Sequence, residues 1–275
     1  MWNKMNKYLL VVIIFISALG ILGVAKEKGA SFDEPLKSKD GQKSHTVLVE
    51  LFTSEGCSSC PSADRVLEEL ANQQPIANTE IVVLSEHVDY WNRLGWEDPY
   101  SANEFTMRQY GYAQALEKNG VYTPQMVING QYELVGSDKE KALALIGRSG
   151  QQEVSEIKLT AKENSNGAIG VHIDISKLPL MSNADASEIN QVMLAITEDN
   201  LSSNVKRGEN SGRKLNHTGV VRKLSVIGQV DNTRAYDSNI ELSLSREWQR
   251  NNLKVIVFVQ NRRTHQVLGV ASAKI

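Results

Sequence analysis

The chain has 275 residues, a formal net charge of −2, 23 % charged residues and 41 % hydrophobic ones. That is long enough for two domains of ~100–150 residues, each burying its own core. Thirty Lys and Arg against 32 Asp and Glu, with no extended basic stripe, exclude the electrostatic footprint of a nucleic-acid binder.

In chain order, the first segment is set apart. MWNKMNK carries Lys4 and Lys7, and YLLVVIIFISALGILGVA then runs to Ala25 without a charge. This run is longer than the ~7–15 residues of a cleavable apolar core and short of the ~20 of a bilayer span. Gly23 and Ala25 fit a small-x-small cleavage pattern. Residues 1–25 therefore read as a signal peptide or an N-terminal membrane anchor, and both export the rest of the chain. The product is soluble if the leader is cleaved and otherwise held by an N-terminal helix, in the periplasm or cell envelope. Residues 26–44 are rich in Lys, Ser, Gly and Asp with no apolar period, and read as a polar linker.

Folding is expected from His45. HTVLVELFTS suits a strand buried on both faces, and PSADRVLEELANQ places Ala63, Val66, Leu67 and Leu70 at helical spacing with Pro61 in the first turn. IVVLSEHV is a second strand, so the unit is β-α-β with a parallel pair. An insertion at 89–120 comes next; within it Ser101-x-x-Glu104 predicts a capped helix that stops at Asn119-Gly120. VYTPQMVINGQYELVG reads as two short strands turning at Asn129-Gly130, and Ser137-x-x-Glu140 caps a last helix closed by Gly147. After Gly150 the pattern changes to period-two runs: EIKLTAK, AIGVHIDIS, NQVMLAIT, NIELSLS, LKVIVFVQ and QVLGVASA. These predict an antiparallel β-sandwich over 151–275. GENSGRKLNHTGVVRKL, with Arg207, Arg213, Lys214, Arg222 and Lys223, is locally basic: an anion or partner surface, or a solvated loop.

The only two cysteines, Cys57 and Cys60, lie between the first strand and the first helix. In an exporting chain such a pair forms a disulfide unless something reduces it. As a staple it is inefficient, since closing about four residues contributes only ~2 kcal/mol against ~3 for a fifteen-residue loop. A thiol at a helix N-terminus faces unpaired N–H groups and the positive dipole end, which favour the thiolate; Glu55 two residues away opposes this. No Ser/His/Asp signature, Gly-rich phosphate loop or paired-carboxylate motif is present.

VLVELF, the CSSC loop, the helix after it and a Tyr-Thr-Pro that opens an antiparallel hairpin together resemble the thioredoxin superfamily over residues 45–150. More narrowly, ELFTSEGCSSCPSAD, HVDYWNRLGW and VYTPQMVING resemble a family of exported proteins known as domain of unknown function 1223. The resemblance implies an α/β thioredoxin-like domain followed by the β-sandwich. It implies that Cys57 is the exposed attacking thiol and Cys60 the buried resolving one, and that Thr123-Pro124 is the superfamily's cis-proline step beside them. Glu50 interrupts an apolar strand; allowing one extra residue in the TSEG turn, it falls where thioredoxins hold a buried acid behind the resolving cysteine. The other reading of Glu50 is an edge residue facing solvent. His87, Asp89, Tyr90 and Trp91, at the carboxyl end of the second parallel strand, are candidates for tuning Cys57 or touching substrate, or else simply pack the insertion. No cofactor is expected on the first reading: thiol–disulfide exchange with cysteine-bearing exported proteins or an envelope redox partner. The alternative is a non-enzymatic binding protein for copper, held by Cys57, Cys60 and His87 with Met126 as a further soft ligand, or for an envelope protein.

Overall fold

The computed structural model describes residues 45–176, 178, 189–231 and 235–275. The expected leader of 1–25 and linker of 26–44 lie outside them. In the first half β1 (His45–Thr53), α1 (Cys60–Gln73) and β2 (Thr79–His87) form the β-α-β unit, followed by α2 (Asn103–Ala115), β3 (Gln125–Ile128), β4 (Tyr132–Val135) and α3 (Lys139–Ser149). The second half is β5 (Ile157–Glu163), β6 (Ile169–Ile175), β7 (Asn190–Glu198), β8 (Leu201–Asn204), β9 (Lys214–His217), β10 (Val220–Val230), β11 (Tyr236–Leu242), β12 (Leu253–Asn261) and β13 (Val267–Lys274). Among the described residues no helix is long and apolar enough to cross a membrane.

Among the described residues eight strands form one sheet in the order β13-β12-β7-β10-β2-β1-β3-β4. β1 and β2 are parallel from His45↔Thr79 to Thr53↔His87, so the CxxC loop and His87 leave the sheet at the same end. Side chains alternate across it. Val47, Val49 and Leu51 pack under α1 and α3 with Ala63, Val66, Leu67, Leu70, Ala142 and Ile146. Leu48 and Phe52 point the other way, toward α2, where Phe105 and Tyr112 meet them. The sheet β11-β6-β5 covers β7 and β12 through Ile169, Val171, Ile173, Val192, Leu194, Ile196, Val255, Val257 and Val259, which makes the antiparallel sandwich.

Gly150 is where the sequence pattern changes, but it is not where the sheet ends. β10 lies beside β2 in parallel at Val220↔Ser85, and the Ser85 amide donates to Gly219 O at 2.8 Å. Gly219 has φ +65°, and a Cβ there would sit 2.8 Å from Val83 Cγ2, so the junction needs a glycine. β9 and β10 occupy the stretch read from its charges as an anion surface or solvated loop. Two register shifts, between Val221 and Lys223 and between Val226 and Gly228, break the period-two pattern that marks the other strands.

Two caps differ from expectation. Ser101 does not cap α2: its hydroxyl donates to Asp98 O at 2.8 Å, and the N-cap is Ala102. Asp138, rather than Ser137, caps α3, accepting from the Lys141 amide at 3.1 Å, and the helix runs past Gly147 to Ser149. The Asn129-Gly130 turn is as expected, with φ of 47° and 67°.

Candidate functional site

At the end of β1 the chain turns through Ser54-Glu55-Gly56, with the Cys57 amide donating to Ser54 O at 3.1 Å and the Cys60 amide to Cys57 O at 3.2 Å as α1 begins. Cys57 and Cys60 are joined as a disulfide. Ser59 Oγ lies 3.3 Å from Cys57 Sγ. The Thr123–Pro124 peptide is cis. A Cβ on Gly136 would lie 3.0 Å from Ala63 Cβ and 3.5 Å from Pro124 Cβ, which seats this step against the first turn of α1. Trp91 Nε1 donates to Thr123 Oγ1 at 2.8 Å and ties the insertion to the same corner.

Cys57 is not the exposed thiol that the resemblance implies: it is 1 % exposed, and Cys60 0 %. The loop 205–213 between β8 and β9 reaches across the CxxC segment. Asn210 Nδ2 donates to both Glu55 O and Cys57 O at 2.9 Å, and Glu209 accepts from the Ser58 amide at 2.9 Å. Hydrogen bonds from Ser58 hold the Glu209 carboxyl below its ordinary pKa. Arg213 Nη1 donates to Asn210 Oδ1 at 2.7 Å, which fixes the direction of the Asn210 amide.

Around the disulfide lies a buried polar cluster drawn from both halves. Glu55 accepts from Trp96 Nε1 at 2.8 Å, from the Ser203 hydroxyl, and pairs with His217 Nε2 at 2.9 Å. His87 Nδ1 lies 2.7 Å from Asp98 Oδ2, which also accepts from the Glu55 amide at 2.8 Å. Burial works against charge on His87, but Asp98, with Asp64 and Glu55 beyond it, outweighs burial and raises its pKa. Burial likewise opposes charge on Asp98, and His87 together with the Glu55 and Tyr100 amides overcomes it and lowers the pKa. The His87 and His217 rings meet edge to face at 4.8 Å between centroids.

Asp64 borders this cluster one helical turn beyond Cys60, on the same side of α1. It accepts from Thr53 Oγ1 at 2.8 Å, lies 4.0 Å from His217 Nδ1, and its side chain is 9 % exposed. Burial pushes its carboxyl above the ordinary value, with His217 and His87 offsetting part.

Glu50 is fully buried, which removes the solvent-facing reading, but it is not behind Cys60. Strand alternation turns it to the face opposite α1. There Arg108 Nε donates to its Oε1 at 2.7 Å and the Tyr112 hydroxyl donates to its Oε2. Arg108 also donates to Gln260 Oε1 and to the Tyr112 hydroxyl, each at 3.0 Å, and lies 3.3 Å from Glu86 Oε1. Burial pushes the Glu86 carboxyl well above the usual range, Arg108 opposing and Glu50 adding.

Of the other expected residues, Asp89 accepts from Thr106 Oγ1 at 2.6 Å, and Tyr90 donates to Gln109 Oε1 at 3.2 Å with its hydroxyl pushed up to about 12 by burial. Met126 is buried under α1. Among the described residues no three His, Cys, Asp or Glu side chains are grouped to hold a metal ion, the set Cys57, Cys60 and His87 included. Asp64, Asp98, Asn210 and His217 were not singled out in the sequence. Only Asp64 carried a usable signal, its spacing of four from Cys60 on a predicted helix.

A thioredoxin from Methanocaldococcus jannaschii is 35 % identical over 97 residues, 35 % of this chain and 87 % of that protein. The crystal structure of protein AGR_C_4864 from Agrobacterium tumefaciens matches with a TM-score of 0.63 and 30 % identity, over 84 % of this chain and 95 % of that one. HBP35 of Porphyromonas gingivalis shares the fold, with a TM-score of 0.60 at 13 % identity over 86 % of this chain and 76 % of that one. The chain is thus a thioredoxin-like protein with a CxxC disulfide, and since residues 48–260 match the family model for a protein of unknown function, DUF1223, it belongs to that family.

Proposed function

We propose that the chain carries out thiol–disulfide exchange on exported, cysteine-bearing proteins of the cell envelope. The observation that carries this reading is the Cys57–Cys60 disulfide at the start of α1, seated by the cis Thr123–Pro124 step, with a buried acid one turn from Cys60. The envelope setting rests on the apolar run before Ala25, which would also supply a membrane attachment if it is retained.

In the oxidising direction a substrate thiolate attacks Cys57 Sγ, the Sγ–Sγ bond breaks, and Cys60 leaves as a thiolate that takes up a proton. A second thiolate of the substrate then attacks the substrate sulfur of the mixed disulfide, and Cys57 leaves as a thiolate that takes up a proton. The substrate dithiol is oxidised by two electrons and the CxxC pair reduced by two. Asp64, rather than Glu50, is the carboxyl positioned to hold the proton that Cys60 gains or loses. Thr123 and Pro124 offer backbone to the incoming chain, and His87 acts through Asp98 and Glu55 on the segment that carries Cys57.

The Cys60→Ala variant tests this. Expressed in the cell envelope, it is expected to accumulate mixed disulfides through Cys57 that mass spectrometry resolves and that Cys57→Ala abolishes. No adducts, together with Cu(I) bound by the wild-type pair, would overturn the exchange reading in favour of a binding protein.

A further inference from the structure

We infer that the β8–β9 loop, residues 205–213, is a gate over the disulfide, and that Asn210 and Glu209 hold it closed over Cys57. The inference rests on the exchange reading above and adds a control of access to it.

Exchange requires a thiolate to approach a sulfur along the S–S axis, so at least one sulfur must be open to the attacker. Here Cys57 is 1 % and Cys60 0 % exposed, while Ser58 and Ser59 between them are exposed. Some contact over Cys57 must therefore release before any partner reacts. The 205–213 loop supplies the contacts best suited to that. It is closed by its own backbone, the Val205 amide donating to Arg213 O at 2.9 Å and the Gly212 amide to Val205 O at 2.8 Å. Gly208 and Gly212 hold φ of 76° and 81°, which lets the chain reverse tightly. Lys206–Glu209 and Ser211–Lys214 are exposed, Val205 at the start of the loop is buried, and Asn210 at its middle points in, fully buried.

Its hold on the CxxC segment runs through two side chains: Asn210 donates to the carbonyls of Glu55 and Cys57, and Glu209 accepts from the amide and the side chain of Ser58. These bonds meet main-chain groups of the CxxC segment and the exposed Ser58 side chain, and each of those groups gains water when the loop lifts. The loop can thus move away without breaking its own ladder or leaving a buried group unpaired. Arg213 is the positioning residue, since its bond to Asn210 Oδ1 keeps both amide hydrogens aimed at the carbonyls.

The test uses the oxidised full chain and dithiothreitol as the attacking dithiol. It reduces Cys57–Cys60 by two electrons and becomes a cyclic disulfide, so no protein substrate is needed. The pseudo-first-order rate is read by alkylation and mass spectrometry, alongside exchange of the Ser58 amide hydrogen. Asn210→Ala removes two hydrogen bonds and is expected to speed reduction about 5- to 30-fold and to deprotect the Ser58 amide. Arg213→Met is expected to do so by a smaller factor. Glu209→Gln, at a fully exposed carboxylate, weakens only the Ser58 bonds; it is expected to give a rise of a few-fold, about that of one hydrogen bond, and decides the matter if the buried variant fails to fold. Rates equal to wild type in folded Asn210→Ala and Glu209→Gln, or an unprotected Ser58 amide in the wild type, overturn the gate. Faster reduction in the variants without partner adducts in the Cys60→Ala experiment keeps the gate and removes the exchange function; adducts with unchanged rates do the reverse.

Discussion

Replacing Arg108 by Met separates the two buried charge clusters by experiment. Arg108 lies on α2, 9 % exposed, and its guanidinium serves Glu50, Gln260 and Tyr112 while facing Glu86. Methionine keeps much of the apolar stem and removes the charge. Glu50 then keeps the Tyr112 hydroxyl and the protonated Glu86 beside it but loses its cationic partner. Removing one partner of a buried pair costs about 3–5 kcal/mol, which for a chain of this size corresponds to a fall in Tm of roughly 6–20 °C. Urea unfolding at pH 7 followed by near-UV circular dichroism reads the loss. Adding Glu50→Gln to Arg108→Met is expected to restore part of it, and the double-mutant cycle gives the coupling. The cluster lies on the sheet face away from α1, so Glu50→Gln leaves the pH profile of Cys57–Cys60 reduction unchanged, whereas Asp64→Asn shifts it. A loss below about 1 kcal/mol in Arg108→Met would refute the pairing. A pH profile moved equally by Glu50→Gln and Asp64→Asn would refute the placement of the proton-holding acid.

The raised pKa of Glu86 has a definite sign. The native state keeps a proton that the unfolded chain releases above the ordinary value of 4.5, so stability drains away as pH rises from there through the native value. Glu86→Gln mimics the protonated form and is expected to leave stability unchanged at pH 4 and to raise it at pH 7–8; equal stability curves across that range would count against it. For the His87–Asp98 pair, the raised His87 contributes fully below the ordinary value of 6.5 and is lost as pH rises through its native value, while the lowered Asp98 contributes above 3.8 and is lost as pH falls through its own. The pair therefore stabilises most between those values. Asp98→Asn removes the leading support for charge on His87, and burial then takes over: the His87 pKa, followed by NMR, is expected to fall at about 1.4 kcal/mol per unit. An unmoved His87 titration would sink this.

The first half was readable because its elements carry local signals. A β-branched run ends at the cysteines, an apolar stripe comes after Pro61, and Asn-Gly marks a turn whose left-handed backbone those residues tolerate. Glu50 shows where such reading fails. Its burial and its place in β1 could be argued from the apolar neighbours, but the choice between the two buried faces depends on Arg108, 58 positions away on a helix whose apolar stripe is weak. The exposed Cys57 failed for a similar reason: burial at a loop is decided by what covers it, and the cover comes from residues 153 positions further along.

The basic stretch from Gly208 to Leu224 joins these observations. Read by charge it divides into Arg213, Lys214, Arg222 and Lys223, and suggests an anion surface. In the fold its functional content is in the uncharged and mixed positions between them. Asn210 clamps the CxxC carbonyls, His217 meets Glu55 and approaches Asp64, and Gly219 lets β10 lie against β2. Arg213 is spent on orienting Asn210, and Arg222 reaches Glu198 at 3.6 Å and stacks near Tyr100 and Trp248. Because this stretch enters the same sheet as the CxxC unit, the second half cannot be removed without exposing Cys57 and stripping His217 and Ser203 from Glu55. A fragment ending at Gly150 would keep both cysteines and the cis-proline step yet lose the groups that cover and pair with them. Its disulfide is expected to react with dithiothreitol at the rate of an open loop.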